Sequence, residues 1–280
     1  MMKVMLFLAL LSSSLMFSQE DLLKDIDTVK TSAESIQPAF KALQIVTGQS
    51  TKLTAKNEWY VVISHRFGDV SNGFKDFFGL DNASTKLGTI YGVTDKVSLN
   101  LSRETNQKTW EGGVKYKLLE QGNNFPVDVV GYNVMAVNTA FKKDIYPNLK
   151  FSDRLSYLSQ ALISRRFNDD FSLQLTPSFV HKNLYDPNIE DKNQFLTGLG
   201  GRYKISKRIS INAEYFVNFD NHSFYKNPLS LGMDIETGGH VFQLLFTNSQ
   251  LNSDIGYLTN ALGDWGKGHI FFGFNLYRVF

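Results

Sequence analysis

Five histidines carry the chemistry that has to be weighed first: His65, His181, His222, His240 and His269. A serine–histidine pair makes an acyl hydrolase when the serine oxygen and the imidazole come within hydrogen-bond reach. His181 follows Ser178 by three positions and lies beyond Phe179 in an alternating stretch. At strand spacing an odd separation puts the two on opposite faces, so they cannot pair within one strand. No motif demands a partner from another strand. No catalytic residue is therefore assigned, and the chain is read as a non-enzyme. Metal binding has no better footing, because no His/Asp/Glu set has the usual ligand spacing. The chain has no cysteine, which excludes thiolate sites, thiol chemistry, a disulfide framework and a cysteine-borne lipid anchor. No metal and no cofactor is expected.

What remains is a scattered set of charges inside otherwise alternating stretches. Arg66, Glu111, Lys115, Lys117, Asp128, Arg166, Arg202, Lys204, Glu214, Asp234 and Glu236 are assigned to the face opposite the lipid side. Two readings stay open. Such a set forms an internal ion-pair network that fills a barrel, or it lines a channel and guides solute. Both signs occur in comparable number, so neither anion nor cation selectivity follows.

The elements that would position these charges follow from pattern and composition. The 280 residues are 42% hydrophobic and 14% aromatic, with 21 glycines and a net charge of +2. Mean hydropathy is only -0.20. Interspersed charge of both signs gives no reason to expect nucleic-acid binding. Residues 1–18 read as a secretory leader, with Lys3, the apolar run Val4–Leu11 and serines before a cleavage point after Ser18. In 19–56, Leu22, Leu23, Ile26 and Val29 share a helical face, Pro38 breaks it, and Phe40–Val46 is expected as a short strand before the turn at Thr47–Gln49. This segment is read as a periplasmic tail or as a plug.

From 57 to 280 the chain alternates with period two. Strands are expected at 57–67, 84–94, 96–104, 108–119, 126–139, 154–167, 171–182, 194–206, 208–219, 229–237, 240–248 and 269–280. In Arg208–Phe219, Ile209, Ile211, Ala213, Tyr215 and Val217 oppose Ser210, Asn212, Glu214 and Asn218. Most runs approach the roughly nine to eleven residues with which a tilted strand crosses a bilayer. With both ends on one side, connections alternate short and long: 95, 120–125, 168–170, 207 and 238–239 against 68–83, 140–153, 183–193, 220–228 and 249–268, with 105–107 the short exception. That parity belongs to bacterial membrane barrels, with short periplasmic turns and long outer loops. The expected fold is thus all-β, a roughly twelve-stranded antiparallel transmembrane barrel in the outer membrane of a Gram-negative bacterium. Trp59, Trp110, Tyr116, Phe167, Phe171 and Tyr203 fall toward strand ends, where interfacial girdles belong.

The last strand places Phe272, Phe274, Leu276 and Phe280 on one apolar face. It resembles the C-terminal signal by which bacterial barrels are handed to their assembly machinery, which that likeness implies as a partner beside outer-membrane lipids. A wider resemblance runs from Phe40 to Phe280. It rests on Ala39-Phe40-Lys41, Thr47-Gly48-Gln49-Ser50, Ile63-Ser64-His65-Arg66-Phe67-Gly68, Tyr91-Gly92-Val93-Thr94-Asp95, Gly200-Gly201-Arg202-Tyr203-Lys204, Glu214-Tyr215 and Phe272-Gly273-Phe274-Asn275. Together these stretches resemble an uncharacterised family of Bacteroidota outer-membrane barrels. The resemblance implies fold and compartment, and no activity. The leading functional expectation is a passive or substrate-guiding channel for a small solute. The alternative is a closed structural or partner-docking barrel, with a lipid hydrolase a distant third.

Overall fold

Period-two alternation becomes strand wherever one face meets lipid and the other meets the barrel interior. Ile209–Asn218 shows it plainly: Ile209, Ile211, Ala213 and Tyr215 face outward, while Ser210, Asn212, Glu214 and Phe216 are buried. The computed structural model describes residues 38–122, 124–220, 224–238 and 240–280. The expected leader 1–18, the helical face at Leu22–Val29 and His222 lie outside the described residues.

Twelve strands follow one another: β1 (Trp59–Asp69), β2 (Ala83–Thr94), β3 (Val97–Glu104), β4 (Thr109–Leu119), β5 (Asp128–Asn138), β6 (Leu155–Arg166), β7 (Phe171–Lys182), β8 (Asn193–Lys204), β9 (Ile209–Asn218), β10 (Leu229–Thr237), β11 (His240–Thr247) and β12 (Phe271–Val279). Each pairs antiparallel with the next, and β1 pairs with β12 to close the barrel. Closure leaves no edge strand to recruit another chain. The closing register sets Ser64 opposite Asn275 and His65 opposite Phe274. Phe280 extends the seam, exchanging backbone hydrogen bonds with Trp59.

Polarity is inverted relative to a water-soluble barrel. Leu87, Leu99, Leu101, Leu199, Ile211 and Leu231 are exposed, whereas Ser98, Ser102, Ser164, Ser172, Ser210 and Ser230 are buried. An outer surface of this kind suits hydrocarbon, with polar side chains turned inward. Around the seam the outward face is aromatic: Phe67 stacks on Phe272, and His65 on Phe274. The turns β2–β3, β6–β7, β8–β9 and β10–β11 are short, while β1–β2, β5–β6, β7–β8, β9–β10 and β11–β12 are joined by long loops at the other end.

Two segments fill the interior, and both depart from simple expectation. Residues 38–56 form no strand. Their one β-type pairing is the isolated bridge Gln44–Gln49, closed by the Ile45 N–H on the Gly48 carbonyl (2.8 Å). The expected strand at Phe40–Val46 is absent because wall side chains, not a neighbouring strand, satisfy this backbone: Gln243 donates to the Ile45 carbonyl and Asn275 to that of Val46, both at 2.8 Å. Backbone polar groups removed from water take whatever partners are within reach. The second segment is the β11–β12 loop. Instead of standing out in solvent it turns back inside, and its helix α1 (Asp254–Thr259) is buried along its whole length. Ile255, Tyr257 and Leu258 of α1 pack on Val130, Tyr132, Val134, Leu158, Leu162 and Phe216, so β5, β6 and β9 carry apolar side chains inward where α1 meets them.

Candidate functional site: the filled lumen

Segment 39–54 bonds to strands all round the barrel, which places it in the lumen. Arg66 of β1 donates to the Thr47 hydroxyl (3.1 Å), and Ser164 of β6 meets Thr51 (2.7 Å). Gln174 of β7 donates to the Gln49 carbonyl (2.8 Å), and Tyr277 of β12 donates to the Gln44 side chain (2.5 Å). Lys115 of β4 reaches the carbonyls of Leu43 (3.3 Å), Ser50 (3.1 Å) and Lys52 (3.4 Å). Ala39, Phe40, Ile45 and Val46 form an apolar cluster with Leu245 of β11, and Val46 is 0% exposed.

At the centre is Glu214 of β9. One carboxylate oxygen accepts the N–H groups of Thr47 (2.7 Å) and Gly48 (2.9 Å) and the Tyr257 hydroxyl (2.8 Å). The other accepts the Val46 N–H at 3.3 Å. A carboxylate meeting successive backbone N–H groups is held by charge-assisted bonds, the stronger kind. Glu214 therefore ties both inserted segments together, 46–48 through the backbone and α1 through Tyr257. Glycine leaves room for the close approach here. A Cβ on Gly48 would stand 2.9 Å from the Glu214 carboxylate, and one on Gly200 would stand 2.5 Å from the Ile45 side chain.

A second buried cluster holds α1. Lys86 of β2 lies 2.8 Å from Glu111 and 3.0 Å from Asp254. Glu111 also accepts the Asp254 N–H (2.7 Å), while Tyr132 donates to Asp254 (2.5 Å). Each of these charges has an opposite partner, as burial requires. Toward the short-turn end, Glu236 takes Lys41 (3.4 Å) and Arg202 (3.3 Å), Arg202 adds a bond to Ser210, and Gln243 donates to Asp234 (2.6 Å). Lys52 meets none of the lumen carboxylates. Its ammonium donates to the Lys41 carbonyl and lies over the Tyr60 ring, and burial together with the Lys41 charge lowers its pKa.

The residues singled out from sequence thus occupy two zones. Arg66, Glu111, Lys115, Arg202, Glu214 and Asp234 are buried. Lys117, Asp128, Arg166, Lys204 and Glu236 are half-buried near the short-turn rim, where Lys117 pairs with Glu120 and Arg166 with Asp169. Phe272, Phe274 and Leu276 lie on the outward face of β12, and Phe280 is exposed at its end. Sequence reasoning missed Lys86, Asp254, Tyr257 and Gln243. Lys86 alternates correctly with Ser84 and Gly88, a signal that could have found it. Asp254 and Tyr257 sit in a loop where no alternation applies.

Cavities between segment and wall beside Leu43 and Ile90 measure 30 and 20 Å³, close to the roughly 10–15 Å³ that admits a single water. Among the described residues no group of three or more His, Asp or Glu side chains could hold a metal ion. His181 is bonded to Asn193 (2.6 Å) and Asn183 (3.0 Å), with no serine among these partners.

Known structures share this architecture. The NanC porin aligns at 10% identity with a TM-score of 0.50, covering 79% of this chain and 98% of its own. The KdgM porin aligns at 9% with 0.51, covering 79% and 99%. Identities so low show a common porin-like barrel fold and nothing finer. No curated protein sequence matches the chain. A family model described as "Membrane bound beta barrel domain (DUF5777)" matches residues 40–280. That span starts inside the lumen segment and ends on the seam residue Phe280, so segment and barrel fall within one family match. By that match the chain belongs to the family of membrane-bound β-barrel domains.

Proposed function

We propose that this protein is an outer-membrane barrel of a Gram-negative bacterium of the Bacteroidota that is shut as it folds. Segment 39–54 acts as a built-in plug from the short-turn side, and the inward loop with α1 closes the lumen toward the long-loop side. The single observation that carries this reading is the Glu214 carboxylate, which binds both segments at once. Support comes also from the pairing of the lumen charges: Lys86 with Glu111 and Asp254, Arg202 with Glu236, Lys115 with three plug carbonyls. Passage of a solute would require these bonds to break together. The porin-like fold leaves a substrate-guiding channel as the second reading, and it then needs a displaced plug.

Planar-bilayer conductance separates the two. The full chain is expected to show no ion steps, and deletion of 38–54 combined with removal of 250–262 from the β11–β12 loop should produce them while the barrel still inserts. Steady conductance from the intact chain would overturn the closed reading. Lipid surroundings and handover to barrel-assembly machinery belong to the same proposal, supported by the apolar outer face and the terminal Phe280.

A further inference from the structure

The β1–β2 loop displays an apolar cluster at its surface. Phe74, Phe77, Phe78 and Leu80 are 84%, 57%, 44% and 42% exposed. Their rings touch chiefly one another: Phe74 meets Phe78 edge to face at 4.8 Å, and Phe77 lies 6.4 Å from Phe78. A contiguous exposed patch of this kind marks an interaction surface.

The backbone is set to make this display. Phe77 and Phe78 are both left-handed, at φ 49° and 57°, a region that bulky side chains rarely adopt. Such geometry persists where surrounding bonds over-determine it, and it concentrates at functional positions. Here the Phe78 N–H donates to the Gly73 carbonyl (2.6 Å), while the Asp76 carboxylate accepts the Asn72 amide (2.7 Å) and the Gly79 N–H (2.9 Å). Asn or Gly would make the same turn with less strain, so the turn by itself does not call for two phenylalanines.

The position of the loop indicates what covers the cluster. The Gly79 carbonyl, between Phe78 and Leu80, accepts the Gly68 N–H at 2.7 Å, and a Cβ on Gly79 would stand 2.3 Å from the Gly68 carbonyl oxygen. Gly68 follows Phe67, whose ring stacks on Phe272 on the outward face of the barrel. At about 3.3 Å per strand residue, the cluster begins just beyond the lipid-facing aromatics. Asn72 and Asn82 of the same loop instead line a polar cleft at the barrel mouth, with Asn106 of the β3–β4 loop and Gln250 of the inward loop. The four apolar side chains lie outside that lining. The loop is therefore two-sided, polar toward the mouth and apolar away from it. At these exposures the three rings present roughly 300–450 Å², well below the ~800 Å² per partner of a stable protein interface. Burial in lipid scales with apolar area and needs no matching protein surface.

We infer that the β1–β2 loop is an accessory membrane anchor, whose Phe74, Phe77, Phe78 and Leu80 enter the outer leaflet beside the β1–β12 seam, at the boundary of headgroups and acyl chains. The anchor rests on the outer-membrane reading of the barrel and does not depend on whether the lumen conducts.

The chain has no cysteine, so single-cysteine variants of the full-length protein can carry a nitroxide in phosphatidylethanolamine–phosphatidylglycerol vesicles. Its depth is read by EPR from collisions with oxygen, which favours lipid, and with a water-soluble nickel chelate. A label on Phe74→Cys should lie about 5–10 Å inside the interface. Leu199→Cys on the outward face of β8 should read as deeper, and Asn188→Cys on the β7–β8 loop as aqueous. Adding Phe77→Asn and Phe78→Asn keeps the turn, since asparagine accepts left-handed φ. It should move the label at 74 into water without lowering the temperature at which heat-dependent gel mobility is lost. An aqueous label at 74 beside a lipid-exposed Leu199→Cys would overturn the anchor alone, whereas an aqueous Leu199→Cys would overturn the membrane barrel with it. A label at 74 shielded from both colliders would show that a second copy covers the patch, and would also overturn the anchor. So would an unchanged depth in the asparagine variant, or a lowered transition temperature showing that the rings brace the fold.

Discussion

Replacing Glu214 by glutamine tests the lumen assignment at its most connected atom pair. The carboxylate accepts three backbone N–H groups and one tyrosine hydroxyl at 2.7–3.3 Å. Bonds to a charged acceptor contribute roughly 1.5–3 kcal/mol each, and neutral ones about 1. Glutamine keeps one oxygen, so the Thr47, Gly48 and Tyr257 bonds persist in weaker form. Its amide then turns an N–H toward the Val46 N–H, donor against donor. Lost charge assistance and one lost bond together amount to about 3 kcal/mol. At 1.4 kcal/mol per tenfold, the population with residues 46–48 detached rises roughly 100-fold.

The chain has no cysteine, so a single Val46→Cys provides a unique reporter at a site that is fully buried. When reclosing outpaces reaction, the labelling rate by a small maleimide follows the open population. Labelling of Val46→Cys should therefore be slow, and faster by roughly 100-fold in the Glu214→Gln background. Glu214→Ala, which removes all four bonds, should label faster still. A change below threefold in both backgrounds would refute the claim that Glu214 holds the segment.

Three further outcomes are expected. Lys86→Met leaves Glu111 and Asp254 buried without their cation; breaking a buried pair costs about 3–5 kcal/mol, so heat-dependent gel mobility should be lost at a clearly lower temperature. For Lys52, burial and Lys41 lower the ammonium's pKa below 10.5. The folded state then binds fewer protons than the unfolded one just below that value, and stability rises with pH through that window. Lys52→Gln should flatten the rise, read from urea midpoints at two alkaline pH values. Deleting Phe280 removes the last backbone pairing with Trp59 but no internal partner, so outer-membrane levels should fall while export continues; unchanged levels, measured by fractionation, would end its role as an assembly signal.

How much of this was legible depends on what leaves a side-chain pattern. Alternation does, and every observed strand end lies within two residues of its expected position, with β7 and β10 coincident. Parity of the connections does too, since lengths are read directly from the gaps between alternating runs. The lumen contents leave almost none. Glu214 is held by backbone N–H groups of 46–48, and backbone donors look the same in every sequence. The β11–β12 loop was expected outside because a loop has no period to betray burial. A weaker signal was present: from Ser249 to Gly263 the sole charged residue is Asp254, whereas 139–154 in the neighbouring β5–β6 loop carries Lys142, Lys143, Asp144, Lys150, Asp153 and Arg154. A long, nearly uncharged loop at the mouth of a barrel has nowhere to satisfy its apolar side chains except inward. The stretches that carried the family resemblance gain a physical explanation from the same geometry. Thr47-Gly48 meets Glu214, Ile45 meets Gly200, Arg66 meets Thr47, Asn275 meets Val46, and Asn57 bonds the Gly92 carbonyl. Strand sites facing lipid need only be apolar, and many residues serve. A site that receives an inserted backbone needs one shape and one hydrogen-bonding group. The stretches that carry the resemblance therefore include the sites where the segment docks on the wall.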